Sequence, residues 1–341
     1  MRVTIKDVAD RAGVSSATVS NVINDKGKVS EATRRAVMDV IEQLNYRPTA
    51  SAQRRYREVG KGIGLVIKEI HNPYFADVIV GAQLAAETAG YDLMVASSEG
   101  RRETEDRIVD LFIAQDVTGI IINPLLDSET DLSHLFELKR RNIPFVLLER
   151  VHGLRASLVD VDNATASRDA VRYLIEMGHE HIVHFSGPGY SMHSDERTEG
   201  FRQAFFDAQL VFRKDFIVPA GARLEDGYRV GKQYFGSIAP EDAPTAVMCY
   251  NDLVALGLLR ALRELNLRVP ADVSVIGYDD INLCEYAEVP LTTMHVPKKE
   301  MGRSAVEMLI RQMESEGSYT LEQVLLQAEL TVRASTAPAR K

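Results

Sequence analysis

Residues 4–24 read TIKDVADRAGVSSATVSNVIN, and the rest of the chain is understood outward from this stretch. Ile5, Val8, Ala9 and Ala12 recur at i, i+3, i+4 and i+7, the apolar stripe of a short amphipathic helix. Thr4, with Asp7 three residues on, is placed to form a capping box in which an aspartate stands in for the usual glutamate. Gly13 supplies the backbone freedom of a tight helix-to-helix turn. Ser15 or Ser16 can cap a second helix, with Val19, Val22 and Ile23 inward and Ser16, Ala17, Ser20, Asn21 and Asn24 outward. A third helix is expected over 30–44, striped by Ala36, Val37, Val40, Ile41 and Leu44. Three short helices with a glycine turn fit a helix-turn-helix, whose second helix enters a DNA major groove. Spacing alone fits an ordinary helical hairpin equally well, because Ser and Asn are also good caps.

Composition sets bounds on class and compartment. At 341 residues the chain exceeds one typical domain, and 45% hydrophobic content is ample for large cores. No run approaches the length of a transmembrane helix, and the charged, amphipathic first ten residues do not read as a signal segment. Two cysteines, Cys249 and Cys284, suggest reduced buried thiols and a cytoplasmic protein. Residues 1–60 hold 11 Lys/Arg against 7 Asp/Glu, a net +4, whereas the other 281 hold 29 against 42, a net −13. A basic head on an acidic body fits a nucleic-acid-binding module carried by a part that does not bind nucleic acid.

Past Arg47-Pro48 the segment TASAQRRYREVGKG is arginine-rich and ends in glycines, so it reads as a linker with a turn or two of helix. From Gly62 short apolar runs alternate with amphipathic helices. Strands are expected over 63–67, 93–96, 119–123, 145–148 and 158–161, then 182–185, 216–218, 246–249 and 273–277. Two such series imply two parallel-sheet lobes with helices on both faces, crossing near Asn163 and again past Leu291, with 292–296 and 324–332 as the last strands. Ligands bind beyond the carboxyl ends of such strands. The residues there are polar, among them Asn72, Glu149, Arg197, Asn251 and Asp279. Any one could be a helix cap; their convergence on one rim favours a ligand cleft.

Residues 4–48, from TIKDVADRAGVSSATVSNVIN to NYRP, resemble the DNA-binding headpiece of the lactose-repressor (LacI/GalR) family of bacterial transcription regulators. The body resembles the same family through HNPYF, SGP, YND and GYDD, in a core like that of periplasmic sugar-binding proteins. The resemblance implies an α/β class: a three-helix helix-turn-helix headpiece at 1–48, a hinge at 49–61, and a two-lobed core of parallel sheets flanked by helices at 62–341. The first lobe is expected to take about 62–161 and 292–322, the second about 162–291 and 323–341.

The resemblance also implies roles. Phosphate contacts fall to Thr4, Ser15, Thr18, Ser20 and Asn24, and base reading to Ser16, Ala17 and Asn21. Many relatives carry arginine at the last of these; asparagine favours adenine instead. The hinge of relatives presents a leucine wedge to the minor groove, where this chain has Arg55. Arg197 and Asp279 match positions that hold effector polar groups, Asn251 and Glu149 are further contacts, and Tyr74 and Phe75 form an apolar wall. Relatives often stack a sugar or purine ring on an aromatic where this chain has Ala222.

Other signals are set aside. The glycines at 60–64 precede a strand, the wrong place for a dinucleotide turn. His179, His181 and His184 are poorly placed to share a metal, and no nucleophile motif is present. The expectation is a non-enzymatic regulator without cofactor or metal. It would be a repressor that binds a palindromic double-stranded operator as a homodimer under a sugar-like effector, with no membrane partner. The tail lacks the apolar heptads of a tetramerising coiled coil. The alternative is a sugar-binding receptor of a transport or sensing system, which leaves the basic head unexplained.

Overall fold

The computed structural model describes residues 3–23, 29–44, 46, 62–126, 132–189, 191–239, 242–315 and 320–340. The chain forms two compact units, 1–61 and 62–341. Asn24, Arg55 and the expected hinge at 49–61 lie outside the described residues.

The first unit contains α1 (Ile5–Ala12), α2 (Ser16–Ile23) and α3 (Glu31–Gln43). The Thr4 and Asp7 backbone amides and side chains form the reciprocal capping box, and Gly13 ends α1 at φ 66°. Ser15 caps α2 by accepting from the Thr18 amide at 3.0 Å, and Ser30 caps α3 through the Thr33 amide at 3.2 Å. Val8, Ala9, Val19, Val22, Val37 and Tyr46 close a small core.

The second unit runs β1 (Gly62–Ile67), α4 (Tyr74–Thr88), β2 (Asp92–Ser97), α5 (Arg102–Ala114), β3 (Gly119–Ile122), α6 (Ser133–Arg140), β4 (Phe145–Leu147) and β5 (Ser157–Val161). It continues through α7 (Asn163–Glu176), β6 (Ile182–Ser186), α8 (Met192–Asp207), β7 (Ile217–Pro219), α9 (Leu224–Ser237), β8 (Ala246–Cys249), α10 (Asp252–Glu264) and β9 (Ser274–Asp279). The last elements are α11 (Leu283–Tyr286), β10 (Thr292–His295), α12 (Lys298–Glu314), β11 (Gln323–Leu326) and β12 (Glu329–Thr331). The first sheet has order β11-β5-β4-β3-β1-β2 and the second β12-β10-β9-β8-β6-β7, parallel throughout except for β12. Helices on both faces bury the central strands entirely, which is why β3 and β8 are short unbroken apolar runs.

The lobe boundaries need correction. Thr292–His295 does not begin the first lobe's return: β10 pairs with β9 in the second sheet. Conversely, β11 pairs with β5 in the first sheet, and only β12 returns to the second. The expected single strand over 324–332 is therefore two strands in two sheets. Alternation of strand and helix fixes the period but not which open edge a late strand closes. Each sheet's edge offers unpaired backbone groups, and the chain serves one and then the other. Crossings thus fall at Asp162, between β10 and α12, and between β11 and β12.

Helices α4 and α12 pack backbone to backbone. A Cβ on Gly81 would lie 1.9 Å from the Lys299 carbonyl oxygen, and one on Gly302 would lie 2.0 Å from that of Val78. Gly302→Ala should therefore cost about 1–3 kcal/mol, the usual scale of overpacking. Gly189→Ala, with nothing within 4 Å of its Cβ, should cost far less. Urea unfolding of the full chain measures both; equal stability of the two variants would contradict this packing.

Candidate functional site

On the first unit, α2 exposes Ser16, Ala17 and Asn21 while Thr18 and Ser20 are half-buried. Exposed Thr4 and Ser15 stand at the starts of α1 and α2, where backbone N–H groups favour phosphate. This is a short polar face on a helix-turn-helix, the geometry that reads base edges with its second helix.

In the second unit a cavity of about 500 Å³ opens at the carboxyl ends of the strands of both sheets. Tyr74 and Phe75 line it from α4, their rings edge-on at 5.2 Å, and the Tyr74 hydroxyl donates to Met301 Sδ at 3.1 Å. Arg197 enters from α8, only 6% exposed. Its Nε donates to Asn163 Oδ1 at 3.0 Å, Nη1 donates to the Tyr250 carbonyl, and its plane lies 3.5 Å over the Tyr278 ring. That leaves Nη2 directed to Asp279, 3.9 Å from Oδ1. Burial pushes the Asp279 carboxyl up to about 7, with Arg197 pulling it back. A guanidinium and an acid at this spacing give a ligand a donor and an acceptor together.

Two expected residues are differently employed. Asn251 lines the cavity, but Oδ1 caps α10 through the Val254 amide at 2.9 Å and Nδ2 donates to the Ala222 carbonyl at 2.8 Å. Glu149 is fully buried and does not line the cavity; it stands behind Lys68, which does. Lys68 Nζ is ion-paired to Glu149, and Ser191 Oγ donates to the same carboxylate at 3.2 Å. His193 Nε2 lies 2.9 Å from Asp160 and Nδ1 3.9 Å from Glu149. Burial would raise the Glu149 pKa, but His193 and Lys68 overcome it and hold it down to about 2. Burial disfavours the His193 imidazolium, yet Glu149 and Asp160 outweigh it and raise its pKa.

Lys68 and His193 were absent from the expected contacts. Lys68 directly follows β1, so its place on the rim, though not its burial, was available in the sequence; His193 stands in the first turn of α8, which begins at Met192. Asn123 also lines the cavity, and its buried Oδ1 has no hydrogen-bond partner among the described residues. The three histidines weighed for metal have separate surroundings: His179 contacts Thr245 and Ala337, His184 contacts the Met248 carbonyl, and His181 packs on Phe216. No group of three metal-capable side chains converges among the described residues.

A helix-turn-helix unit joined to a two-lobed core with a polar cleft defines a class, the ligand-regulated DNA-binding proteins. Residues 4–49 match the family of bacterial regulatory proteins, lacI family, and residues 171–336 match the periplasmic binding protein-like domain. The HTH-type transcriptional repressor PurR of Photobacterium profundum is 33% identical over 335 residues, covering 97% of this chain and 98% of that protein. PurR of Vibrio vulnificus is 35% identical over 313 residues, covering 91% and 92%. Among solved structures, the Lac repressor dimer bound to operator and the anti-inducer ONPF is 28% identical, covers 99% of this chain and 100% of that one, and has a TM-score of 0.82. The transcriptional regulator CelR–cellobiose complex is 30% identical, covers 98% and 100%, and has a TM-score of 0.74. The chain belongs to the lacI family of bacterial regulatory proteins. It is a helix-turn-helix transcriptional repressor with a ligand-binding core, a regulator and not an enzyme.

The buried His193 has a consequence for stability. Its raised pKa contributes stability that is present at low pH and lost as pH rises through the folded-state value. The depressed pKa of Glu149 acts oppositely, its contribution failing only as pH falls toward about 2. Denaturant unfolding of the full chain between about pH 6 and about pH 9 should show a decline in wild type that is flatter in His193→Asn. Parallel curves would show that His193 is not ionised in the folded protein.

Proposed function

We propose that this repressor binds a palindromic operator as a homodimer in the cytoplasm, and that a hydroxyl-rich small molecule, a sugar or sugar derivative, controls its affinity. The observation that carries the effector reading is the Arg197–Asp279 pair in the cavity, 3.9 Å apart and both nearly buried. Such a pair suits adjacent hydroxyls, each of which both donates and accepts. Ala222 leaves the opposite wall without an aromatic ring at that position. Structural relatives are described with cellobiose and with ribose bound. The Phe75 wall and the similarity to the PurR repressors favour a second reading, a flat heterocycle such as a purine.

Exposed Val80 and Leu84 on α4, with Leu283 and Tyr286 on α11, supply apolar surface for a partner copy. One headpiece reads few base pairs, so two-fold pairing also gives useful specificity. In the headpiece, Ser16, Ala17 and Asn21 read bases, while Thr4, Ser15, Thr18, Ser20 and Asn24 hold phosphates; in the hinge, Arg55 enters the minor groove. In the core, Tyr74, Phe75, Arg197 and Asp279 meet the effector directly, Glu149 acts through Lys68, and Asn251 shapes the rim.

Two experiments test this. Thermal-shift screening of the full chain against sugars, sugar acids, phosphosugars, nucleobases and nucleosides should yield a stabilising compound. Arg197→Ala and Asp279→Asn should each weaken that compound by about 1.5–3 kcal/mol, the scale of a charged hydrogen bond, while sparing operator binding. Full compound affinity in both variants would remove the cavity assignment, and stabilisation by nucleobases alone would favour the heterocycle. For the headpiece, Asn21→Arg should change base preference at one position of each half-site by ~1–3 kcal/mol, read by selection of operator sequences. Unchanged selected sequences would misplace the recognition helix.

A further inference from the structure

The cleft carboxylate sits on an unusual piece of backbone. Asp279 has φ 111° and Asp280 has φ 56°, two consecutive non-glycine residues in the region that side chains avoid. Such strain persists only where the surroundings hold it. Several contacts do so from within the second lobe. Asp280 accepts from Arg333 Nη2 at 2.7 Å and lies 2.8 Å from His295 Nδ1. Asp252, fully buried, accepts from the Ile281 amide at 2.9 Å and from the Thr293 hydroxyl.

One contact comes from elsewhere. Lys298 is 3% exposed, and among the described residues the hydrogen bonds of its ammonium go to backbone oxygens. A buried ammonium without a counter-ion is costly unless all its protons are used. Here they go to backbone oxygens: the Asp279 carbonyl, the Asp280 carbonyl at 2.9 Å and the Val296 carbonyl at 3.4 Å. Lys298 thus pins both carbonyls of the strained turn. It is also the first residue of α12, immediately after the crossing out of the second sheet. Three residues on, Met301 receives the Tyr74 hydroxyl at 3.1 Å, and Gly302 lies against the α4 backbone. The start of α12 therefore touches the Asp279 wall of the cavity through Lys298 and the Tyr74 wall through Met301.

We propose that Lys298 is the positioning residue of the Asp279 carboxylate and the link through which a ligand on that carboxylate is registered by α12 and the first lobe. The proposal rests on the reading of the cavity as the effector site. Its physical content is simple. A ligand drawing on Asp279 moves a turn whose carbonyls are tied to α12, and α12 cannot shift independently of α4 because their backbones interlock. Without the ammonium the turn is free to relax, so the carboxylate loses its aim and the helix loses its signal.

The test uses the full chain and the variants Lys298→Met, which removes donors and charge, and Lys298→Gln, which keeps a donor. The first measurement needs no effector. In Lys298→Met, amide exchange at residues 279–282 should quicken at least tenfold, with the fully buried β8 unchanged. The Asp279 carboxyl, followed by carbon NMR, should titrate at higher pH than in wild type. Arg197, Asp252, Lys298 and His193 are the charges that face it, and Lys298 is one of those holding it down. The second measurement uses ribose, cellobiose, gluconate, ribose 5-phosphate, hypoxanthine and adenosine as probes. Any probe that binds wild type should bind Lys298→Met at least tenfold more weakly, with its affinity failing at a higher pH as pH is lowered. Operator affinity without probe should stay within threefold, and Lys298→Gln should lie between. If no probe binds wild type, the sugar and heterocycle readings fail while the exchange and titration still decide the role of Lys298. Should Lys298→Met not fold, Lys298→Gln carries the same comparisons. Wild-type exchange at 279–282 with an unmoved Asp279 titration would overturn the proposal, as would wild-type probe affinity in a folded variant.

Discussion

Charge taken out of water has to be matched, and the core of this repressor depends on how it does so. Five ionisable side chains, Lys68, Glu149, Asp160, His193 and Arg197, lie mostly or wholly buried where the two sheets present their carboxyl ends. Lys68 is held by Glu149, and each of the other four has more than one partner. Glu149 is shared between Lys68, Ser191 and His193, and Arg197 is divided between Asn163, Tyr250, two aromatic faces and Asp279. Lys68, Glu149 and Asp160 belong to the first lobe, His193 and Arg197 to the second, so matching the charges also fixes how the lobes meet. The proposed effector control calls for a ligand that takes some of these partners and so shifts that arrangement.

The same constraint separates the structural from the functional residues of the cleft. Groups whose capacity is filled inside the protein, such as Asn251 with its cap and its Ala222 contact, set shape. Groups with capacity left, Asp279 above all and Asn123 with its unpartnered oxygen, are those to which the proposed function gives recognition. Asp279 is also the residue on strained backbone, and strain of this kind is retained where a side chain must be aimed.

Legibility in the sequence tracks the range of the interactions. The headpiece was legible almost in full: the Thr4–Asp7 capping box, the Gly13 turn and the Val8, Val19, Val22 core all fall within residues 4–22. The strands and the rim beyond their ends were legible too, because burial on both faces forces unbroken apolar runs. The late strands were not. Strand β11 closes an edge at β5 formed 165 residues earlier (Gln323 on Leu158), whereas β10 joins β9 only 16 residues back (Thr292 on Ile276), and the alternation of strand and helix does not separate the two cases. Lys68, His193 and Lys298 escaped notice for a related reason. A charged residue looks solvent-bound in sequence, and only the packed fold shows it buried with partners 81, 33 and 19 positions away.

The central claim is that occupancy of the cleft changes the grip of the headpiece on DNA. Its most direct test is an equilibrium titration of a selected operator with the full chain, at several salt concentrations, with and without a compound that stabilises the protein. A saturating compound should change operator affinity by about 5–150-fold, the range of ordinary allosteric coupling, at every salt concentration. Identical titrations with and without a compound demonstrably bound in the cleft would contradict the account.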